Sequence, residues 1–262
     1  MQFRHRFTRL LTVIAALSTL TLTASAWAQD PPKGKESKAV TKALNKVDKQ
    51  LLSRSPEKAR QLLEPVMADN DPRVGAALGQ ILILEENYDE GVAKLKTAAK
   101  KSDDPLVSLA LGDGQVAAGQ KGQAKSAFDK AAEQAEAILA EDSADADARF
   151  ALGAAQRRQK QYDEAISNLN QARAADAGNP RIPFELGMAK MAKGENQAAF
   201  DALSQAIELY SGYAYAYYYR ALAANQINRK DITVNDLDRF LALAPNAPEA
   251  PKAQRILQAA RG

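Results

Sequence analysis

Residues 150–174 read FALGAAQRRQKQYDEAISNLNQARA, and this stretch decides the fold. Leu152 and Gly153 stand in a run of helix formers. After Lys160-Gln161 a second helical run follows, with Ala165, Leu169 and Ala172 at i, i+4 and i+7. That spacing places the three on one helix face. Two antiparallel helices bring their backbones close only where side chains are small, so Gly153 and the alanines read as the contact between the two runs.

The same text recurs along the chain. Leu78-Gly79, Leu111-Gly112, Leu152-Gly153 and Leu186-Gly187 are separated by 33, 41 and 34 residues. Ala124, Phe128 and Ala131 follow the second pair, and Ala199, Leu203 and Ala206 follow the fourth. Asn87-Tyr88-Asp89-Glu90-Gly91-Val92 and Ala98 follow the first. A further 34 residues on, Arg220-Ala221 takes the Leu-Gly place, with Leu237, Phe240 and Pro245 downstream. Arg220 and Thr233 depart from the pattern, so this last unit is degenerate.

This pattern resembles the tetratricopeptide repeat, whose motif has Leu-Gly in a first helix, Ala, a large apolar residue and Ala in a second, and a closing Pro. The resemblance spans about residues 38–262. It implies an all-α, right-handed solenoid of helical hairpins, about five repeats and a C-terminal capping helix, stabilised by stacking of neighbours. The units run over 38–71, 72–104, 105–145, 146–179, 180–213 and 214–247, the first and last degenerate, with a cap over 248–261. Ser55-Pro56 reads as an N-cap followed by proline at the first helical position. The offset of 41 exceeds 34 by about two helical turns. No breaker interrupts Ala131 to Ala140, so the second helix there is expected to run two turns longer.

The N-terminus carries an export pattern. Arg4, Arg6 and Arg9 precede an apolar run from Leu10 to Leu22, and Ala26-Trp27-Ala28 offers a cleavage site before Gln29. Residues 1–28 thus read as a signal peptide and 29–37 as a disordered leader. The expected location is the periplasm or the exterior; an uncleaved membrane anchor is the alternative. Residues 1–28 hold three of the 35 Lys and Arg and the single histidine, so the remainder balances 32 cations against 32 anions. Nucleic acid as a partner loses its electrostatic support. With no cysteine, and no histidine beyond His5, thiol chemistry, Ser-His-Asp triads and histidine-based zinc sites are excluded from the mature chain. No cofactor, metal site or catalytic residue is expected. Gly112-Asp113-Gly114 and Gly119 to Gly122 lack the strand–loop–helix setting of a nucleotide loop.

In the tetratricopeptide family the first helices build a concave inner face on which partners lie. Carried over by position, that face holds Phe150, Arg157, Arg158, Arg181, Phe184, Met188, Met191, Tyr215, Tyr218 and Gln226. Aromatic, Met and Arg side chains suit a protein interface. The other reading of the aromatic row is packing between repeats. Six of the eight tyrosines lie in residues 210–219, as a stacking surface or as filling between helices. Glu133, Glu136, Glu141, Asp142, Asp145 and Asp147 lie in a stretch without a basic residue, which reads as a solvated acidic face. Asp30 to Arg60 has nine Lys and Arg against four Asp and Glu, a basic arm capable of weak contact with an anionic membrane.

Two functions remain open from sequence. The first is a non-catalytic scaffold binding a protein or peptide partner of an envelope assembly. The second is an accessory subunit or enzyme acting on cell-wall or exported polysaccharide through carboxylates and the tyrosine-rich segment. Carboxylates buried together near Tyr215 to Tyr219 are the mark of the second.

Overall fold

A computed structural model describes residues 38–261. The signal peptide and leader read from the sequence lie outside the described residues. Among these there are thirteen α-helices, arranged as six hairpins and a final single helix. The hairpins are α1 (Lys38–Leu52) with α2 (Pro56–Leu63), α3 (Pro72–Leu84) with α4 (Tyr88–Lys100), and α5 (Pro105–Ala117) with α6 (Lys121–Glu141). Then come α7 (Ala146–Arg158) with α8 (Tyr162–Ala175), α9 (Arg181–Lys193) with α10 (Asn196–Leu209), and α11 (Ala214–Gln226) with α12 (Lys230–Leu243). The single helix is α13 (Ala250–Arg261). No helix among the described residues is long and apolar enough to cross a membrane.

The Leu-Gly signature acts as the spacing suggested. A Cβ on Gly153 would stand 2.8 Å from Leu169 Cγ, and one on Gly187 2.6 Å from Leu203 Cγ. On Gly112 it would enter the Phe128 ring. Each glycine therefore receives the large residue of its own second helix, sixteen positions on. In the degenerate unit Ala221 and Leu237 take these places, both fully buried. Thr233, where Ala is usual, is buried and donates its hydroxyl to the Arg229 carbonyl at 3.0 Å, so the departure is accommodated.

The ends of the first helices are fixed by local chemistry. Asp71, Asp104 and Asp145 cap α3, α5 and α7 by accepting backbone N–H groups of Arg73, Leu106 and Ala148. Ser55 does not cap α2; its hydroxyl turns back to the Ser53 carbonyl. All six hairpins turn through a left-handed residue: Arg54, Glu86, Gly119, Lys160, Gly194 and Asn228, with φ between 57° and 81°. The next residue donates to the carbonyl five back, at 2.7–2.9 Å, which closes the helix end. Four of the six are not glycine and accept a cost of about 1 kcal/mol each.

Helix α6 has 21 residues where the other complete second helices have 13 or 14, so the extra seven continue the same face for two turns. Helix α2 has only eight, because Pro65 supplies no N–H and the chain tightens into a 3-10 turn at Glu64–Val66. Each second helix packs on its own first helix and on the next first helix, and successive first helices touch along the inside. Helix α13 lays Ala250, Ala253 and Leu257 on the last hairpin and closes the apolar end.

The first helices are buried on nearly every side. In α9 all nine residues from Arg181 to Ala189 are buried, and in α11 nine of thirteen are. The stack is thus curled tightly enough to fill its own inner face.

Candidate functional site

The inner face is built from charges that neutralise one another across helices. Arg158 on α7 reaches Asp113 on α5 with both ends of its guanidinium, at 2.6 and 2.7 Å. Its Nη1 also approaches Glu185 on α9 at 3.4 Å. Arg157 donates to the same Glu185, which is completely buried. Burial alone would lift Glu185, but the Arg157 and Arg158 guanidiniums outweigh it and hold its carboxyl below the usual glutamate range. Burial would likewise lower Arg158; Asp113 and Glu185 reverse that and hold it firmly charged. Burial lifts Asp113 above its ordinary value, and Arg158 pulls it back without cancelling the effect. Three consecutive hairpins are tied together by this ladder.

A second group lies where α9 and α11 begin. Phe184 stacks on Tyr213 with centroids 4.7 Å apart, and Tyr215, Tyr218, Tyr219 and Phe240 continue the aromatic cluster. Such ring contacts add about 1 kcal/mol each beyond buried area. Glu249, buried in the loop before α13, accepts the Tyr215 hydroxyl. Burial lifts both Glu249 and Tyr215 above their ordinary ranges. Tyr210 and Tyr217 are half-buried at the margin.

This second group is met by the far end of the chain. Leu52, the last residue of α1, is buried within the aromatic cluster. Asp48, one turn earlier, forms a salt bridge with Arg181. Tyr210 donates to the Lys49 carbonyl at 3.1 Å, and its oxygen lies 2.7 Å from the Ser53 hydroxyl. The Arg54 guanidinium lies over the Tyr215 ring, 5.3 Å from its centroid. The first hairpin therefore closes onto the fifth and sixth.

The residues expected along an open groove are corrected by this arrangement. Phe150, Arg181, Phe184, Tyr215 and Tyr218 are at most 1% exposed, and Met188 and Arg157 are also buried. The Arg158 side chain is 5% exposed. Met191 is half-buried and Gln226 exposed. Phe150 packs in the core of the third and fourth hairpins. Arg181, Phe184, Met188, Tyr215 and Tyr218 gather under the first hairpin, while Arg157 and Arg158 belong to the charge ladder. The cause is curvature: with inner faces touching, side chains that line an open trough in a shallow stack become interior. Asp48, Leu52, Asp113, Glu185 and Glu249 complete these groups and carried no sequence signal of their own, while Tyr213 belongs to the tyrosine-rich segment and fills between helices. Of the acidic run, Glu133, Glu136, Glu141 and Asp142 are exposed on α6 and its end, whereas Asp145, the cap of α7, and Asp147 are half-buried, so the solvated face stops short of these two.

No protein-family model matches the chain, and no curated protein matches it. Solved structures do. A thermophilic TPR protein of Thermus thermophilus superposes with a TM-score of 0.55 at 18% identity, covering 72% of this chain and 98% of that one. A crystal structure of MamA gives 0.44 at 21% identity, over 64% of this chain and 95% of that one. The TPR2AB domain of yeast Sti1 in complex with pHSP90 gives 0.42 at 13%, over 85% and 98%. The first of these, with the helix order and the Leu-Gly contacts, establishes the tetratricopeptide-repeat fold.

Proposed function

We propose that this chain, a tetratricopeptide-repeat fold, is an exported, non-catalytic scaffold that binds a protein or peptide partner within an assembly of the cell envelope. Export rests on the pattern of residues 4–28, and exclusion of nucleic acid on the neutral balance beyond it.

The observation that carries the reading is the use made of the ionisable groups. Asp113 and Arg158, Glu185 and Arg157, Asp48 and Arg181, Asp236 and Arg220, and Glu249 with Tyr215 are each joined across helices or loops. A general acid or base must be free to reach a reacting atom; these join one helix to another, or a helix to a loop, instead. The carboxylate that meets the tyrosines is Glu249, with Arg54 near it, rather than a pair of carboxylates. A polysaccharide-cleaving centre of the two-carboxylate kind has separations for which that arrangement makes no provision.

Binding then falls to the exposed rim of the first-helix side, where Gln226 and the half-buried Met191 are available. Mature chain carrying a photo-reactive residue at Gln226, added to an envelope extract, should cross-link to one discrete protein. The same residue at Lys125, 77% exposed on α6, should not. Equal labelling from both positions, or none from Gln226 while purified chain hydrolyses a cell-wall glycan, would overturn the proposal.

A further inference from the structure

The corner where α1 ends makes contacts that a repeat stack does not require. A solenoid is stabilised by each unit's contact with its neighbours, yet Asp48, Lys49 and Leu52 to Arg54 reach residues that lie more than 130 positions away. Helix α1 has separate faces for the two tasks. Val40, Leu44, Val47 and Leu51, at i, i+4, i+7 and i+11, enter the core of the first hairpins. Lys38, Lys42, Lys46 and Lys49 are exposed. Asp48 and Leu52, one turn apart, are left for the long-range contact.

The seat that receives them is specific in its chemistry. Arg181 supplies a buried guanidinium for the carboxylate. Leu52 is buried in the same apolar cluster as Phe184, Tyr213 and Tyr215. Tyr210 donates to the Lys49 carbonyl, in the last turn of α1, which also accepts the Ser53 N–H at 3.1 Å and the Ser53 hydroxyl at 2.9 Å. The seat therefore reads the C-terminal end of a helix: an acidic residue, a leucine one turn later, and a last-turn carbonyl between them.

We infer that this seat is a docking site for the C-terminal turn of a partner helix bearing Asp or Glu and, four residues on, Leu, and that the α1 corner is its resident occupant, displaced when the partner binds. The inference rests on the scaffold reading above and names the partner's chemistry. The occupant itself argues for it: the seat already holds a helix end of this kind, supplied by the chain. The attachment is a few polar contacts and one apolar side chain. The first hairpin keeps its own core through Val40, Leu44, Val47 and Leu51, so α1 stays folded when the hairpin swings as a unit away from α9 and α11.

The test uses a fluorescent peptide of residues 38–54 as the stand-in partner. Full mature chain with Asp48→Lys and Leu52→Ser should bind this peptide about tenfold or more tighter than the unaltered chain, because its own corner no longer competes. A peptide carrying Asp48→Lys should fail on that chain and recover on one that also has Arg181→Glu. A folded Asp48→Lys, Leu52→Ser chain that binds neither peptide, or both alike, overturns the seat. Should that variant not fold, a single Leu52→Cys in the otherwise cysteine-free chain reports the same event. Its reaction with maleimide should be slow at rest and accelerate with peptide; an unchanged rate at saturating peptide also overturns the proposal. A corner that never moves, in a chain that still cross-links from Gln226, removes the seat and leaves the scaffold reading standing.

Discussion

Asp147 stands at the start of α7 beside the cap residue Asp145, and its titration shows how single side chains set the pH response. Burial lifts its carboxyl to about 8, and Asp145, Asp104 and Asp176 push in the same direction. The folded state therefore holds the proton more tightly than the unfolded chain, in which an Asp titrates near 4. The stability this contributes is complete below the unfolded value and is lost as pH rises to about 8. Asp147→Asn should raise the melting temperature at pH 8 and leave it nearly unchanged at pH 4, where the native residue is already neutral. An equal shift at both values would point to a packing effect instead. At this scale the sequence was partly legible. The acidic run reads as a solvated face, which holds for Glu133 to Asp142 but not for Asp147, whose burial and approach to Asp104 and Asp176 depend on stacking. The left-handed turns at Arg54, Glu86, Lys160 and Asn228 were hidden because none is a glycine, the residue that usually marks such a turn.

Helices α5, α7 and α9 are joined by Asp113, Arg158, Glu185 and Arg157, and this ladder belongs to the scale of elements. A buried ion pair is costly to break because the remaining partner keeps its charge without compensation. Arg158→Met should cost about 3–5 kcal/mol in urea unfolding, since it takes from the buried Asp113 the guanidinium that meets it at two points. Adding Asp113→Leu should recover a large part of that loss by removing the buried carboxylate that Arg158 neutralises. If the single change costs no more than an exposed pair, the ladder contributes little to register. Hairpins themselves were legible: Gly153 with Leu169 and Gly187 with Leu203 need a small residue opposite a large one at constant spacing, whatever the rest of the stack does. The seven added residues of α6 were legible for a similar reason, since whole turns preserve the buried face. The ladder was not, because Asp113 and Glu185 lie in different units and share a partner only once three hairpins are stacked.

Over the whole molecule the decisive quantity is curvature. It accumulates from small rotations between neighbouring repeats, so no local pattern reports it. Phe184 and Tyr218 have the same sequence signature whether they line a trough or lie beneath the first hairpin. Here the stack curls until α1 meets α9 and α11, and the aromatic row becomes interior. The export proposed from residues 4–28, the charge balance that it would leave and the absence of cysteine from the sequence keep their bearing on the proposed function, because none of them depends on the curl. That closure is measured by one distance. Spin labels on Lys46→Cys in α1 and Ser211→Cys before α11, both exposed and in a chain with no native cysteine, report the separation of the two ends in solution. The resting chain should give a single narrow distance distribution, which Asp48→Lys broadens toward longer separations. A resting chain that already shows the broad, long distribution, indifferent to Asp48→Lys, would contradict that closure.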